Sequence, residues 1–421
     1  MTKLKSIKEN AIYVSVRKVY WKVKRKIRGI ISKGYRFYTL RILYPQIYKK
    51  GLKKDLDASK VVFIEVRSPE ISDSFRLIYD ELKSSYNLNI TEHFLGTSFV
   101  PRRENIRRTK DMIRDIADAK YVFLNESTNV FSFLPMRKET IVTQLWHACG
   151  AFKKFGMSTA DLLFGDDRKT LEKYPYHKKY TYATVSSPEV VWAYEEAMGY
   201  EKQKGVVVPV GVSRTDYFYR DDVKEKAFEK LYKLFPAAKG KKVILYAPTF
   251  RGRVATAKSP DVLDVELFRK NFREDYVLVF KHHPFVKNRP EIPAGCDDFA
   301  MDVTEDMAIE ELLIVSDICI SDYSSLVFEY SLFEKPMIFF AYDLEDYYDW
   351  RGFYYNFKDF VPGPIYYDND SMVKYIGEID DKFDRQQVID FRDKFMSSCD
   401  GHATKRIMKL VFEDRLEVFR R

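Results

Sequence analysis

Cysteine is scarce in this 421-residue chain. The four residues Cys149, Cys296, Cys319 and Cys399 show no metal-ligand spacing, which argues against a zinc centre. Cys319 lies in an apolar run and reads as a small core residue. With no signal-peptide pattern, a reducing cytoplasm is the expected setting. Long hydrophobic runs are also missing. The best stretch, 13–23, is broken by Arg17, Lys18 and Lys22, whereas a spanning helix needs about 20 apolar residues. Walker, GxGxxG and HExxH patterns are absent, so those nucleotide and zinc chemistries have no sequence support. Histidine is limited to six residues, and acid is nearly missing from the first 54, where Glu9 stands alone.

What is present is a globular composition, with 46% apolar residues, 30 Tyr and 32 Phe. The length favours two domains over one core. The net charge of +9 is unevenly placed. Residues 1–54 hold seventeen Lys/Arg against Glu9, a charge of +16, which leaves −7 for the remainder. In that segment Ile12, Val16, Val19, Val23, Ile27 and Ile30 recur at helical spacing, with Tyr13, Tyr20 and Trp21 among them. Tyr35, Phe37, Tyr38, Leu40, Ile42, Leu43 and Tyr44 follow. The pattern predicts a basic amphipathic helix on an anionic membrane surface. A solvated helix packed on its own domain is the alternative. Nucleic-acid binding is not expected, since no reading motif accompanies the basic arm.

Beyond residue 54 short apolar strands alternate with helical stretches. Strands are expected at 60–66, 90–95, 121–124, 140–145, 181–185 and 206–210, then at 242–247, 276–281, 317–321 and 337–340. Helices are expected at 72–85, 306–315 and 324–333. This alternation predicts an α/β fold with parallel sheets. The expected divisions are a membrane-surface segment 1–54, an acceptor domain 55–215, a donor domain 216–385 and closing helices 386–421. Residues 217–239, polar and helix-prone, would bridge the halves. Two such halves place a ligand between them, beyond the C-terminal strand ends.

Chemistry-bearing residues follow several of these strands. His147 stands after the strand at 140–145, and His283 after the strand at 276–281. Each is positioned as a base or electrostatic partner. The strand at 317–321 ends in Ser321-Asp322-Tyr323-Ser324-Ser325, where a helix begins. Its serines and amides suit phosphate, although helix capping alone would also explain them. Arg251 and Arg253 follow the strand at 242–247 and could hold a diphosphate or an acidic acceptor, since guanidinium matches phosphate oxygens in pairs; surface charge near a loop is the alternative. Lys281 and Lys153 are weaker candidates of the same kind.

In these motifs the chain closely resembles the CDP-glycerol glycerophosphotransferase family of teichoic-acid primases and polymerases, from about residue 60 to 410. The matching segments are Gln144-Leu145-Trp146-His147, Tyr246-Ala247-Pro248-Thr249-Phe250-Arg251, Lys281-His282-His283-Pro284 and Ser321-Asp322-Tyr323-Ser324-Ser325. Glu334-Lys335-Pro336, Tyr342-Asp343-Leu344-Glu345, Arg351-Gly352-Phe353-Tyr354 and Asp400-Gly401 add to them. The family usually has Gly directly after the first His, whereas here Ala148-Cys149 precede Gly150.

The resemblance implies a GT-B-like fold of two facing Rossmann-like domains. It implies transfer of glycerol phosphate or ribitol phosphate from a CDP-polyol to a lipid-linked acceptor, with release of CMP. His147 would be the base. His283 and Arg251 would steady phosphate charge, and Lys281, Asp322, Ser324 and Ser325 would complete the donor site. Trp146, Gly150 and Lys153 would form the acceptor loop. No bound metal or cofactor is expected, and the enzyme would work peripherally at the cytoplasmic membrane face. The competing readings are a GT-B sugar-nucleotide glycosyltransferase and a non-catalytic membrane-surface binding protein.

Overall fold

The computed structural model describes residues 2–163, 165–252 and 256–421. The side chains of 2–19 and 348–351 lie outside that description. The side chains of Ile12, Tyr13, Val16, Val19 and Arg351, and the whole of Arg253, therefore fall outside that description.

Two six-stranded, wholly parallel sheets form the molecule. The first contains β1 (Asp57–Glu65), β2 (Asn89–Phe94), β3 (Ala119–Leu124), β4 (Ile141–Gln144), β5 (Tyr182–Thr184) and β6 (Val207–Val208), in the order 2-1-3-4-5-6. The second contains β7 (Lys242–Ala247), β8 (Tyr276–Phe280), β9 (Ala300–Asp302), β10 (Ile318–Ser321), β11 (Met337–Phe340) and β12 (Ile365–Tyr366), in the order 12-11-10-7-8-9. Central strands such as β8 and β10 are buried throughout. They read as continuous apolar runs because helices cover both faces of a parallel sheet. The short edge strands β9 and β12 were not among the expected strands. Two or three residues carry no periodicity to detect.

Register sets the level at which the chain leaves each sheet. Leu124 pairs with Gln144, which brings the segments after β3 and β4 side by side. Tyr246 pairs with Phe280, and Ala247 with Ser321. The segments after β7, β8 and β10 therefore emerge together.

The N-terminal segment is not one unit. A helix runs from Thr2 to Tyr38 and continues through a π-helical turn, Thr39–Leu43, into the helix Tyr44–Gly51. Leu40, Tyr44 and Tyr48 are buried in the core of the first sheet. Their four-residue spacing lines one helix face. The backbone N–H of Arg137 donates to the Tyr48 hydroxyl at 3.2 Å. By contrast Tyr20, Trp21, Val23, Ile27, Ile30 and Ile31 are exposed.

The bridge expected at 217–239 is the helix Asp221–Leu234 flanked by 3-10 turns. At the other end, the helix Arg385–Phe395 packs on the second half, with Phe391 stacked on Phe328 at 5.2 Å. The chain then crosses back. The Asp216 carboxylate accepts from the amides of Ala403 and Thr404, at 3.0 and 2.7 Å. This satisfies amides at the start of the helix Ala403–Phe412. Ile407, Met408, Val411 and Phe412 complete a core with Phe63, Phe75 and Tyr121 of the first half. One body of the chain is thus closed by its own last helix.

Candidate active site

A cavity of about 780 Å³ lies where the C-terminal ends of the two sheets meet. Trp146, His147, Gly150 and Lys153 reach it from the first half. Thr249, Phe250, His283, Ser324 and Ser325 reach it from the second. Its location follows the rule that open parallel sheets bind ligands beyond their strand ends.

His147 stands in a turn held under strain. Trp146 adopts φ of 60°, a left-handed conformation that is costly for a side chain of this size. The turn is held by Gln144, whose Oε1 accepts from the Trp146 amide at 3.0 Å. Its Nε2 donates to the Glu126 carbonyl and the Tyr180 hydroxyl. The Trp146 indole packs against Phe155 and His177. Gly150 follows at φ of 63°, where a Cβ would stand 2.2 Å from the Phe328 ring. Only glycine fits that approach.

The tautomer of His147 follows from its partner. Nδ1 lies 3.1 Å from the backbone carbonyl of Asn125. A carbonyl only accepts, so Nδ1 carries the proton and Nε2 keeps its lone pair. His147 is exposed where it lines the cleft, so the desolvation it feels comes from the mass of protein around the ring and not from lost water contact. Desolvation pushes its pKa down to about 4, assisted by the positive Arg214 and Arg67 and opposed by the bond to Asn125. At neutral pH His147 is an uncharged imidazole able to accept a proton.

His283 has the complementary arrangement. The Phe285 amide donates to its Nδ1 at 3.2 Å, so the neutral ring carries its proton on Nε2. Phe250 and Phe285 flank the ring, with centroids at 4.8 and 4.6 Å. Neighbouring His282 is buried and pairs through Nδ1 with Ser259 Oγ at 2.6 Å. It plays no part in the cavity lining.

Ser324 and Ser325 line the cavity at the start of the helix Leu326–Ser331. Ser325 makes no side-chain capping bond, and Ser324 Oγ accepts only a long 3.4 Å contact from the Leu326 amide. Capping therefore does not account for these hydroxyls. The helix has only six residues, so little macrodipole stands behind them.

Three expected donor ligands are placed differently. Arg251 commits all five N–H groups inside the protein. They bond to both oxygens of Asp343, to Asp322 Oδ2, and to the carbonyl and hydroxyl of Thr249. Asp322 is buried and accepts from Thr249 N, Thr249 Oγ1 and Tyr323 N at 2.6–2.9 Å, besides Arg251. Lys281 Nζ donates to the carbonyls of Thr304 and Met307. These three brace the loops that carry Thr249, His283 and the serines and do not line the cavity.

Lys153 does line it, and its Nζ donates to the Tyr347 hydroxyl at 3.3 Å. Beside it, Phe152 and Lys154 exchange backbone bonds with Tyr354 and Gly352. The loop after β4 is thus stitched to the second half. Arg67, Asn125 and Phe285 were not anticipated. All three follow strands, so the strand-end rule that found the histidines would have flagged them too. Among the described residues no group of three or more His, Cys, Asp or Glu is placed to hold a metal ion.

Residues 46–413 match the family described as CDP-Glycerol:Poly(glycerophosphate) glycerophosphotransferase. The chain is 34% identical over 392 residues to the teichoic acid ribitol-phosphate primase of Bacillus spizizenii, covering 92% of this chain and 96% of that protein. It is 29% identical over 399 residues to the teichoic acid glycerol-phosphate primase of Bacillus subtilis, covering 92% and 98%. The solved wall teichoic acid polymerase TagF superposes with a TM-score of 0.73 at 22% identity, covering 95% of this chain and 98% of that one. This likeness agrees with the GT-B-like arrangement of two parallel α/β halves. The chain belongs to the CDP-glycerol:poly(glycerophosphate) glycerophosphotransferase family of polyol-phosphate transferases.

Proposed function

We propose that this enzyme transfers ribitol phosphate from CDP-ribitol to a terminal hydroxyl of a lipid-linked teichoic-acid-type acceptor. The observation that carries the reaction is the pair of opposed histidine tautomers across one cavity. The acceptor hydroxyl gives its proton to His147 Nε2 as its oxygen attacks the β-phosphorus. The new O–P bond forms while the P–O bond to CMP breaks, and CMP leaves with the electron pair. His283 Nε2–H and the hydroxyls of Ser324 and Ser325 donate to the phosphate oxygens, where negative charge accumulates. Trp146 and Gly150 hold the base in place, and Lys153 ties the acceptor loop to the donor half.

Ribitol is favoured over glycerol by the greater identity to the ribitol-phosphate primase, 34% against 29%. Attachment to the cytoplasmic membrane face is supported by the exposed apolar stripe and basic charge of the N-terminal helix. No described helix is long and apolar enough to cross a membrane. The test is CMP release with CDP-ribitol, CDP-glycerol and UDP- or GDP-sugars, each with a lipid-linked acceptor. Fastest turnover of CDP-ribitol is expected. Turnover of a sugar nucleotide alone would replace this reading with that of a conventional glycosyltransferase.

A further inference from the structure

Among the described residues three arginines act near the reacting centre, and two are consumed by the protein itself. Arg251 has no donor left. Arg214 reaches Glu310 and Glu329, and its Nε is buried without a partner. Arg67 differs. It follows β1 by two residues, lines the cavity and is half exposed. Among the described residues it pairs with one acid, from Nε to Glu126 Oε2 at 3.3 Å. Among the described residues no hydrogen bond engages its Nη1 or Nη2. A guanidinium in that state presents its two-pronged edge to whatever enters the cavity, and that edge matches a phosphate.

The position of Arg67 indicates which substrate it meets. It belongs to the first half, on the side of His147, where its charge is felt at the imidazole. The donor serines and His283 lie across the cavity on the second half. Glu126 offsets part of this charge through Nε, but a cation beside a general base still weakens that base unless a further anion lies close to the attacking hydroxyl. The lining holds an acid of its own, Asp166, but no ion pair joins it to Arg67.

We propose that Arg67 binds a phosphate of the acceptor, so that the enzyme selects acceptors ending in a polyol phosphate over those ending in an uncharged sugar. This rests on the transferase reading above and names the residue that reads the acceptor at the same site. Glu126 steers the guanidinium through Nε, leaving the Nη edge for the phosphodiester behind the terminal hydroxyl. The acceptor's own charge then offsets that of Arg67 at His147.

The test is calorimetric binding of two soluble acceptors, a short glycerol-phosphate oligomer and an uncharged disaccharide, to the full chain and to Arg67→Gln and Arg67→Lys. Arg67→Gln is expected to weaken the oligomer by about tenfold or more, the range of a charge-assisted hydrogen-bond pair. Disaccharide and CDP-ribitol binding should stay within about twofold, and Arg67→Lys should recover part of the loss. Equal binding of the oligomer to both proteins would overturn the proposal. So would a loss falling on CDP-ribitol instead. Melting temperatures establish that the variants are folded. Turnover of CDP-ribitol by the unaltered chain in the same preparations tests the transferase reading separately, because acceptor binding is measured without donor.

Discussion

At the scale of single residues, the proposed reaction separates cavity-lining groups that would meet substrate from groups that hold the loops in place. His147 is assigned to the first class. Replacing it with Ala should lower turnover by about 100-fold or more, the usual loss when a general base is removed. Calorimetric affinity for CDP-ribitol should hardly change. Near-wild-type turnover by a folded His147→Ala protein would remove the residue from the mechanism. Arg251 belongs to the second class. Its loss would leave Asp322 buried and uncompensated, which costs about 3–5 kcal/mol when a buried pair is broken. Arg251→Ala should therefore lower the melting temperature markedly. The double change Ser324→Ala and Ser325→Ala should leave melting nearly unchanged and weaken donor binding. A reversal of that pattern would mean that Arg251 is the phosphate ligand and the serines are packing.

At the scale of elements, the strand-end turns store the strain that the sheets cover. The turn 144–147 keeps Trp146 left-handed because Gln144, Tyr180 and His177 fill the space beneath it. His177 is buried, and desolvation pushes its pKa down to about 3. The unfolded chain would titrate near 6.5. Between those values the unfolded state binds the extra proton, so stability is present above 6.5 and is lost as pH falls toward 3. The slope is on the order of 1.4 kcal/mol per pH unit. Chemical unfolding of the His177→Gln variant should therefore show less loss between pH 7 and pH 5 than the unaltered protein. An identical acid sensitivity would place the responsible proton elsewhere.

At the scale of the whole molecule, the N-terminal helix has two different jobs along its length. Residues 40, 44 and 48 belong to the first core, whereas Tyr20 to Ile31 face outward. A chain beginning at Asp55 would lose buried Tyr48 and its neighbours, so a membrane test needs the cut near residue 34. That shorter protein should keep CDP-ribitol binding and lose sedimentation with anionic vesicles. Each Lys or Arg near such a surface contributes about 1 kcal/mol. Added salt should weaken attachment of the full chain as screening shortens its reach. Equal sedimentation of the two proteins would show that the arm is a solvated helix.

The sequence by itself determined the architecture. A parallel sheet buried on both faces writes each central strand as an apolar run, so β7 was legible residue for residue and the other long strands to within a few. It also determined which strand ends carry His147, His283 and the serines, since those residue types are rare or positioned at a helix start. Only the tertiary structure decided what each group does with its hydrogen bonds. Arg251, Asp322 and Lys281 look like phosphate ligands in a motif, yet their partners are Asp343, Thr249 and the carbonyls of Thr304 and Met307. Arg67, outside every motif, keeps its guanidinium edge for the cavity. The same limit split the N-terminal segment, because helical spacing states that a face is apolar and not what covers it. Charge and periodicity are local properties of a chain, while donor satisfaction and burial depend on residues brought together from distant positions.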